Sequence, residues 1–394
     1  MDRGFENIMK IGFIGFGKLG QPCGEVIAEK GHDVVAYDVA TIDTDINMRP
    51  TIKDTVADRD IVFVAVPTPH DPEYGGETPT YHLPPKDFGY GIVQHVIEEA
   101  NNHMNKDQLL VLISTVLPGT VRREFVPLVT NTRFVYNPYL IAMGTVAWDM
   151  VNPEMVMIGT EDGTETGDAK ELKEFYESIM ENDPRYVIGT WDECECIKVF
   201  YNTFISAKIG LVNMIQDVAE QQGNIDVDVV ANALRDSTQR IMGPGYMKPG
   251  MGDGGACHPR DNIALRFMSD NLSLGYDLFA EIMKARDVQA ENMARAICEH
   301  GYEVYFTSDS YKPHVPYTNG SYSLLVQHYV KKFNTNVTKD IDQADVIVRV
   351  HESDEINEEE LVPGVVIFDP WRTYELKTKS HIVVHYGNTR SCKK

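Results

Sequence analysis

Apolar residues fall along this chain in two rhythms. Short, nearly continuous apolar runs bounded by Gly, Pro, Asp or Asn predict buried strands, and recurrence at three- and four-residue steps predicts helices. Met9 to Ile14 reads as a strand, followed by an apolar helical run to Lys30, a stop at Gly31 and a second strand from Asp33 to Tyr37. Asp60 to Val66 and Leu109 to Ser114 are further strands, and runs around Phe134, Met155 and Val187 complete a sheet by residue 189. From Asp192 the rhythm becomes helical. Ile197, Phe200, Tyr201, Phe204, Ile205, Ile209, Val212 and Ile215 predict one helix of roughly thirty residues, with Asp192 and Glu193 suited to its N-terminus. Helical segments continue to about residue 295. Strands then return at Glu303 to Thr307, Asp345 to Val350 and Val365 to Phe368, with an amphipathic helix from Tyr322 to Lys332. The pattern divides the chain into an α/β segment 1–189, a helical segment 190–295 and a smaller α/β segment 296–394, whose last ten residues read as a tail. Residues 70–88, rich in Pro, Gly and Tyr, read as a long exposed loop able to cover a site.

Composition narrows the partners. A chain of 394 residues exceeds what one hydrophobic core usually holds, and 43% hydrophobic with 24% charged residues is ordinary for a globular protein. A formal charge of -23 argues against nucleic acid or an anionic membrane as a general partner, while leaving room for a local basic pocket. No run reaches the length of a membrane span, and the first residues lack a signal-peptide pattern. The six cysteines are scattered without framework spacing, which predicts reduced thiols in the cytoplasm. Cys194 and Cys196 have no second pair at zinc-site spacing, so no metal is expected.

The first turn carries the clearest chemistry. Gly15-Phe16-Gly17-Lys18-Leu19-Gly20 lies between a strand and a helix, and the next strand ends at Asp38, 18 residues beyond Gly20. That is a dinucleotide-binding fingerprint in its required context: the glycines permit the turn, admit the pyrophosphate and let helix and strand pack. Asp38 is placed to accept from both ribose hydroxyls and to repel a 2′-phosphate, which favours NAD over NADP. Ligands of such sheets lie outside the carboxyl ends of the strands, so Pro67, Thr68, Ser114 and Thr115 are placed to touch cofactor or substrate. Helix capping is the alternative role for the hydroxyls.

A second concentration of chemistry spans Gly250 to Asp261. Four glycines in six positions allow close backbone approach to a flat or anionic ligand; a lone thiol, Cys257, follows, then His258, Pro259, Arg260 and Asp261. A thiol is nucleophilic as thiolate, a form favoured by cations or a helix N-terminus, and Asp261 is a candidate cap for a helix beginning at Asn262. A plain glycine-rich surface turn is the alternative. On the long predicted helix, Lys198 and Asn202 are four apart and share a face; a simply solvated pair is the alternative.

Taken together, these motifs resemble those of the UDP-glucose/GDP-mannose dehydrogenase family, from about Met9 to about Arg372 and loosely beyond residue 290. The resemblance implies an N-terminal Rossmann domain binding NAD, a central long-helix region through which two copies form a homodimer, and a smaller C-terminal Rossmann-like α/β domain. The implied reaction is oxidation of C6 of a nucleotide-linked sugar to a uronic acid through a cysteine thiohemiacetal and thioester. Cys257 then matches the nucleophile, Lys198 and Asn202 the pair stabilising the oxyanion, and Asp261 and Thr115 residues coupled to the lysine and a water. Arg260 stands where the family has a lysine beside the cofactor. For the substrate, the match assigns Tyr246 and Lys248 to the nucleotide and its phosphates, Arg240 to an arginine reaching across a dimer interface, and Gly254 to the glycine loop. In the C-terminal segment, Lys312 and Arg372 match the substrate-contacting lysine and arginine.

The departures bear on the second oxidation. The family's Asn-Pro-Glu-Phe-Leu-Arg-Glu-Gly reads here Asn137-Pro138-Tyr139-Leu140-Ile141-Ala142-Met143-Gly144, so Tyr139 stands at the substrate in place of a glutamate that acts in thioester hydrolysis. A phenol with a pKa of about 10 is a poor base at neutral pH. His258 replaces an apolar residue beside the nucleophile and is a candidate for activating water; a packing or substrate-contacting histidine is the alternative. Between residues 311 and 321 the family's lysine survives as Lys312, but its Asp and Arg do not; Trp371 and Tyr311 are candidates to stack on a base, or to be packed in the core. Two readings therefore compete with the full reaction: a single oxidation to a 6-aldehyde, and a catalytically weak protein that binds NAD or a nucleotide sugar.

Overall fold

The computed structural model describes residues 8–69, 82–84, 86–142, 144–243, 248–251, 257–314, 318 and 320–388, with side chains except at 209, 213, 257, 258, 260, 261 and 264. The chain divides into two compact units, 1–208 and 209–394, so the helical segment read as 190–295 is shared between them.

The first unit is built on an eight-stranded sheet. Its strands are β1 (Lys10–Ile14), β2 (Asp33–Tyr37), β3 (Asn47–Met48), β4 (Ile61–Val64), β5 (Leu109–Leu112), β6 (Arg133–Tyr136), β7 (Met155–Thr160) and β8 (Arg185–Thr190). Their order is β3-β2-β1-β4-β5-β6-β7-β8. All neighbouring pairs are parallel except β6 and β7, which meet antiparallel at Tyr136 and Gly159. The first six strands follow the doubly wound dinucleotide-binding order, and the strand order reverses between β1 and β4. Alternation along the strands sends side chains to both faces. Ile11, Phe13, Phe63 and Val111 pack on one face under α1 (Gly20–Glu29) and α5 (Gly167–Ile179). Val62, Val64, Leu110 and Leu112 pack on the other under α2 (Ile52–Val56) and α3 (Gly91–His103). Burying each such side chain stabilises the unit by about 1.5–3 kcal/mol. The short α4 (Val146–Val151) packs beside α1.

β8 runs without a linker into α6 (Trp191–Gln222), the long helix predicted from Asp192. The junction is a reciprocal cap. Thr190 N–H donates to Glu193 Oε2 at 2.8 Å and Glu193 N–H to Thr190 Oγ1 at 3.3 Å. The unit boundary falls inside α6.

The second unit holds α7 (Val227–Arg235), α8 (Cys257–Asn271), α9 (Leu278–Cys298) and α10 (Tyr322–Lys332) with a parallel sheet. Its strands are β9 (Glu303–Phe306), β10 (Asn336–Thr338), β11 (Val346–Val348), β12 (Val366–Asp369) and β13 (Ile382–His385), in the order β10-β9-β11-β12-β13. β3, β10 and β13 were not expected, and β13 occupies a stretch that reaches into the predicted tail. Asp261 is not a helix cap, because α8 already begins at Cys257. Much of the predicted loop 70–88 and residues 389–394 lie outside the described residues.

Candidate active site

The first unit contains a cleft of 770 Å³ at the reversal point, beyond the carboxyl ends of β1, β4 and β5. Gly15, Gly17, Lys18, Leu19, Asp38, Pro67, Thr68, Ser114, Thr115, Tyr139 and Lys198 line it. Gly15 has φ +91°, a conformation side chains resist, and its N–H donates to Tyr37 O at 2.9 Å. A Cβ on Gly20 would lie 2.1 Å from Gly15 O, so that glycine is demanded by the turn itself. A Cβ on Gly17 would meet nothing within 4 Å, so its absence leaves open space for a ligand. α1 begins at Gly20, so its N-terminus lies at this cradle, although Gln21 N–H is spent on Gly17 O (3.0 Å) and Pro22 has no N–H.

Asp38 is fixed at the rim. Its Oδ2 accepts Phe16 N–H at 2.7 Å and its Oδ1 accepts Ala40 N–H at 2.9 Å. A carboxylate has about four acceptor positions, so two remain for ribose hydroxyls. The residues therefore fit a dinucleotide: a glycine cradle for pyrophosphate, a helix N-terminus and a pre-oriented acid. Ile52, Ile92, Val96 and His95, which the sequence did not single out, line the same cleft from α2 and α3. The apolar pair Ile92 and Val96, four apart on α3, was the available signal.

The hydroxyls beyond β4 and β5 cap no helix. Thr68 Oγ1 donates to Thr115 O at 2.8 Å, and Ser114 Oγ donates to Val66 O at 2.6 Å, so the two strand-end loops are stitched together. Lys198 extends from α6 into the cleft and donates to Tyr139 O at 2.6 Å. Burial lowers its pKa from the usual lysine value. Asn202, one turn further along α6, is exposed.

The Tyr139 hydroxyl is engaged within the protein. The phenol meets Tyr176 Oη at 2.8 Å, and Tyr176 donates in turn to Asn137 Oδ1, whose Nδ2 donates to Met157 O at 2.6 Å. Burial pushes the Tyr139 phenol well above its ordinary pKa, so it is neutral and held in a structural chain.

In the second unit, Cys257, His258, Arg260 and Asp261 occupy the first turns of α8; their side chains lie outside the described set. Tyr246 and Gly254 lie outside the described residues altogether. Gly250 is close to the indole of its own chain: a Cβ there would lie 2.3 Å from the Trp371 ring. That ring donates through Nε1 to Val350 O at 3.1 Å, so Trp371 is packed rather than free to stack on a base. Arg372, at φ +60°, donates to the carbonyls of Pro249 (2.5 Å), Tyr386 (3.0 Å) and Pro370. Lys248 pairs with Glu352, while Lys312 and Arg240 are exposed. Among the described residues no group of three or more His, Cys, Asp or Glu side chains is arranged to hold a metal, and no helix is long and apolar enough to cross a membrane.

The sheet order, the glycine cradle and the rim acid define the first unit as an NAD-binding domain of an oxidoreductase. The NAD-binding domain model of the UDP-glucose/GDP-mannose dehydrogenase family matches residues 40–180, and the central-domain model of the same family matches residues 192–288. The chain belongs to that family, and NAD is its cofactor. It is 24% identical over 306 residues to the UDP-glucose 6-dehydrogenase of Rickettsia prowazekii, covering 73% of this chain and 69% of the relative. It is 25% identical over 330 residues to the GDP-mannose 6-dehydrogenase of Pseudomonas aeruginosa, covering 74% and 71%. A ternary complex of GDP-mannose dehydrogenase from Pseudomonas aeruginosa has a similar fold, with a TM-score of 0.79 at 20% identity, covering 95% of this chain and 99% of the other.

Proposed function

We propose that this protein oxidises C6 of a nucleotide-linked sugar of the UDP-glucose type, taking the alcohol through an aldehyde to a uronic acid. The observation that carries the reading is Lys198, a half-buried ammonium in the cofactor cleft that Thr115 also lines. A cation placed there opposes the negative charge that develops on oxygen as hydride leaves carbon. NAD, when bound, accepts the hydride. Asn202 donates to the same oxygen, and Thr115 holds a water with Asp261 coupled to the lysine. Cys257 adds as thiolate to the aldehyde carbonyl, forming a C–S bond; loss of a second hydride leaves a thioester, which water cleaves to carboxylate and free thiol. His258 takes the proton from that water. Arg260 lies beside the cofactor, while Tyr246, Lys248, Gly254, Lys312, Arg372 and Arg240 serve the nucleotide, its phosphates and the sugar. Two copies pair through α6, a reading supported by the exposure of Phe200, Phe204, Leu211 and Val212 on that helix.

The engaged Tyr139 hydroxyl favours a second reading, in which hydrolysis fails and a 6-aldehyde is released. Counting NADH formed per sugar consumed, with UDP-glucose, GDP-mannose and N-acetylated UDP-sugars, separates the two. Two equivalents support the uronic acid and one the aldehyde, whereas none with any sugar leaves a binding protein. If two are formed, His258→Leu should keep the first oxidation and accumulate a thioester visible by intact-protein mass spectrometry. An adduct-free variant at full rate would remove His258 from the mechanism.

A further inference from the structure

Glu195 lies one helical turn before Lys198 on α6 and is 0% exposed. Its Oε2 accepts Gly119 N–H and its Oε1 accepts Val121 N–H, both at 2.6 Å. These two amides close the loop that leaves β5 through Ser114 and Thr115, and Gly119 turns that loop with φ +86°. The other end of the loop is tied to the end of β4 by the Thr68 and Ser114 hydroxyls. Burying a carboxylate is costly unless its oxygens are satisfied, and here backbone amides provide that satisfaction. Arg122, whose charge acts on Glu195, is itself paired with Asp192 at 2.8 Å. An apolar side chain of the same volume would leave both amides without this acceptor, so the acid at 195 is what holds the loop to α6.

We propose that Glu195 is a positioning residue of the dehydrogenase site, bracing the Ser114–Thr120 loop against the same stretch of α6 that carries Lys198, so that Thr115 and Lys198 line the cleft in a fixed relation. The proposal rests on the reading of that cleft as the site of oxidation. The titratable and charged groups around Glu195 are Asp192 and Arg122, the buried Tyr136 on β6, and Cys194 and Cys196 on its own helix. Burial pushes the Glu195 carboxyl up to about 7, against the downward pull of the two amides. Protonation turns one oxygen from acceptor into donor, so below that pH one of the two amides loses its partner.

Glu195→Gln keeps the shape and replaces one acceptor by a donor. In the full chain with NAD and a sugar the wild type oxidises, kcat should fall about tenfold or more while the KM for NAD stays within about threefold. The acid limb of the wild-type kcat profile should disappear in the variant. Hydrogen exchange, measured without sugar, should speed up at Gly119 and Val121 in the variant. In the wild type the same two amides should lose protection between about pH 8 and about pH 6, after correction for intrinsic exchange. Wild-type kcat, pH profile and exchange in the variant would overturn the proposal. So would a rate loss that merely tracks a lowered melting temperature while the acid limb and the two amides stay unchanged. Should the wild type oxidise no nucleotide sugar, the functional reading fails separately; unchanged exchange at the two amides would then still refute the brace.

Discussion

Two glycines three residues apart can be required for different reasons. Gly20 is excluded from carrying a side chain by the chain's own carbonyl, and Gly17 by nothing in the protein. Gly20→Ala should therefore destabilise the first unit by about 2–4 kcal/mol, the cost of a backbone collision in a packed turn. Gly17→Ala should melt with the wild type yet bind NAD about tenfold more weakly, since its methyl stands where pyrophosphate approaches. Melting curves alongside NAD titrations check both; equal NAD affinity for Gly17→Ala and wild type would mean the cradle is not used. Such requirements were legible in the sequence because they arise within a few residues. The Tyr139 hydroxyl and the Glu195 carboxylate were not, since their partners lie 37 and 74–76 positions away. Glu195 did leave one trace: it stands three residues before Lys198, close to the same face of α6.

Elements were legible in proportion to their length and burial. α10 begins and ends where its periodicity predicts, with Ser321 as its cap, accepting Leu324 N–H at 3.4 Å. β3 and β10, of two and three residues, are too short for any rhythm to register, and the edge strand β13 offers an apolar run of only three residues, Ile382 to Val384, next to the polar C-terminal stretch. Between β12 and β13 the crossing segment is gathered by Glu358. Its carboxylate accepts the N–H groups of Lys377 (3.0 Å) and Thr378 (2.8 Å), and the hydroxyls of Thr378 (3.0 Å) and Tyr374 (2.9 Å). Burial alone would raise this carboxyl, but those donors outweigh it and bring its pKa to about 2. A folded value below the ordinary 4.5 contributes stability that is present above that value and lost as pH falls through about 2. Glu358→Gln should accordingly lower the melting temperature at neutral pH, with a deficit that shrinks on acidification. A deficit equal at neutral and acid pH would show that the ionised form is not what gathers the segment.

For the whole molecule, the doubly wound order of the first sheet follows from strand–helix alternation and the glycine turn, both plain in the sequence. Assignment to compact units was less plain, because one helix contributes to two of them. Phe200 is 63% and Phe204 56% exposed, large apolar surfaces for a helix of a lone chain. If they meet a second copy, Phe204→Asp should halve the mass measured by sedimentation equilibrium and leave the circular dichroism unchanged. Equal masses for variant and wild type would place the contact elsewhere or remove it.

The closeness of Gly250 to the Trp371 ring constrains how this sequence can drift. The indole is pinned through its nitrogen to Val350, so it cannot swing aside for a new side chain at 250. Substituting 250 first produces a collision, whereas shrinking 371 first leaves a void beside Phe368 and Met251, which share its cluster. Either order passes through a poorer intermediate, so the two positions should change together across descendants of this chain or not at all.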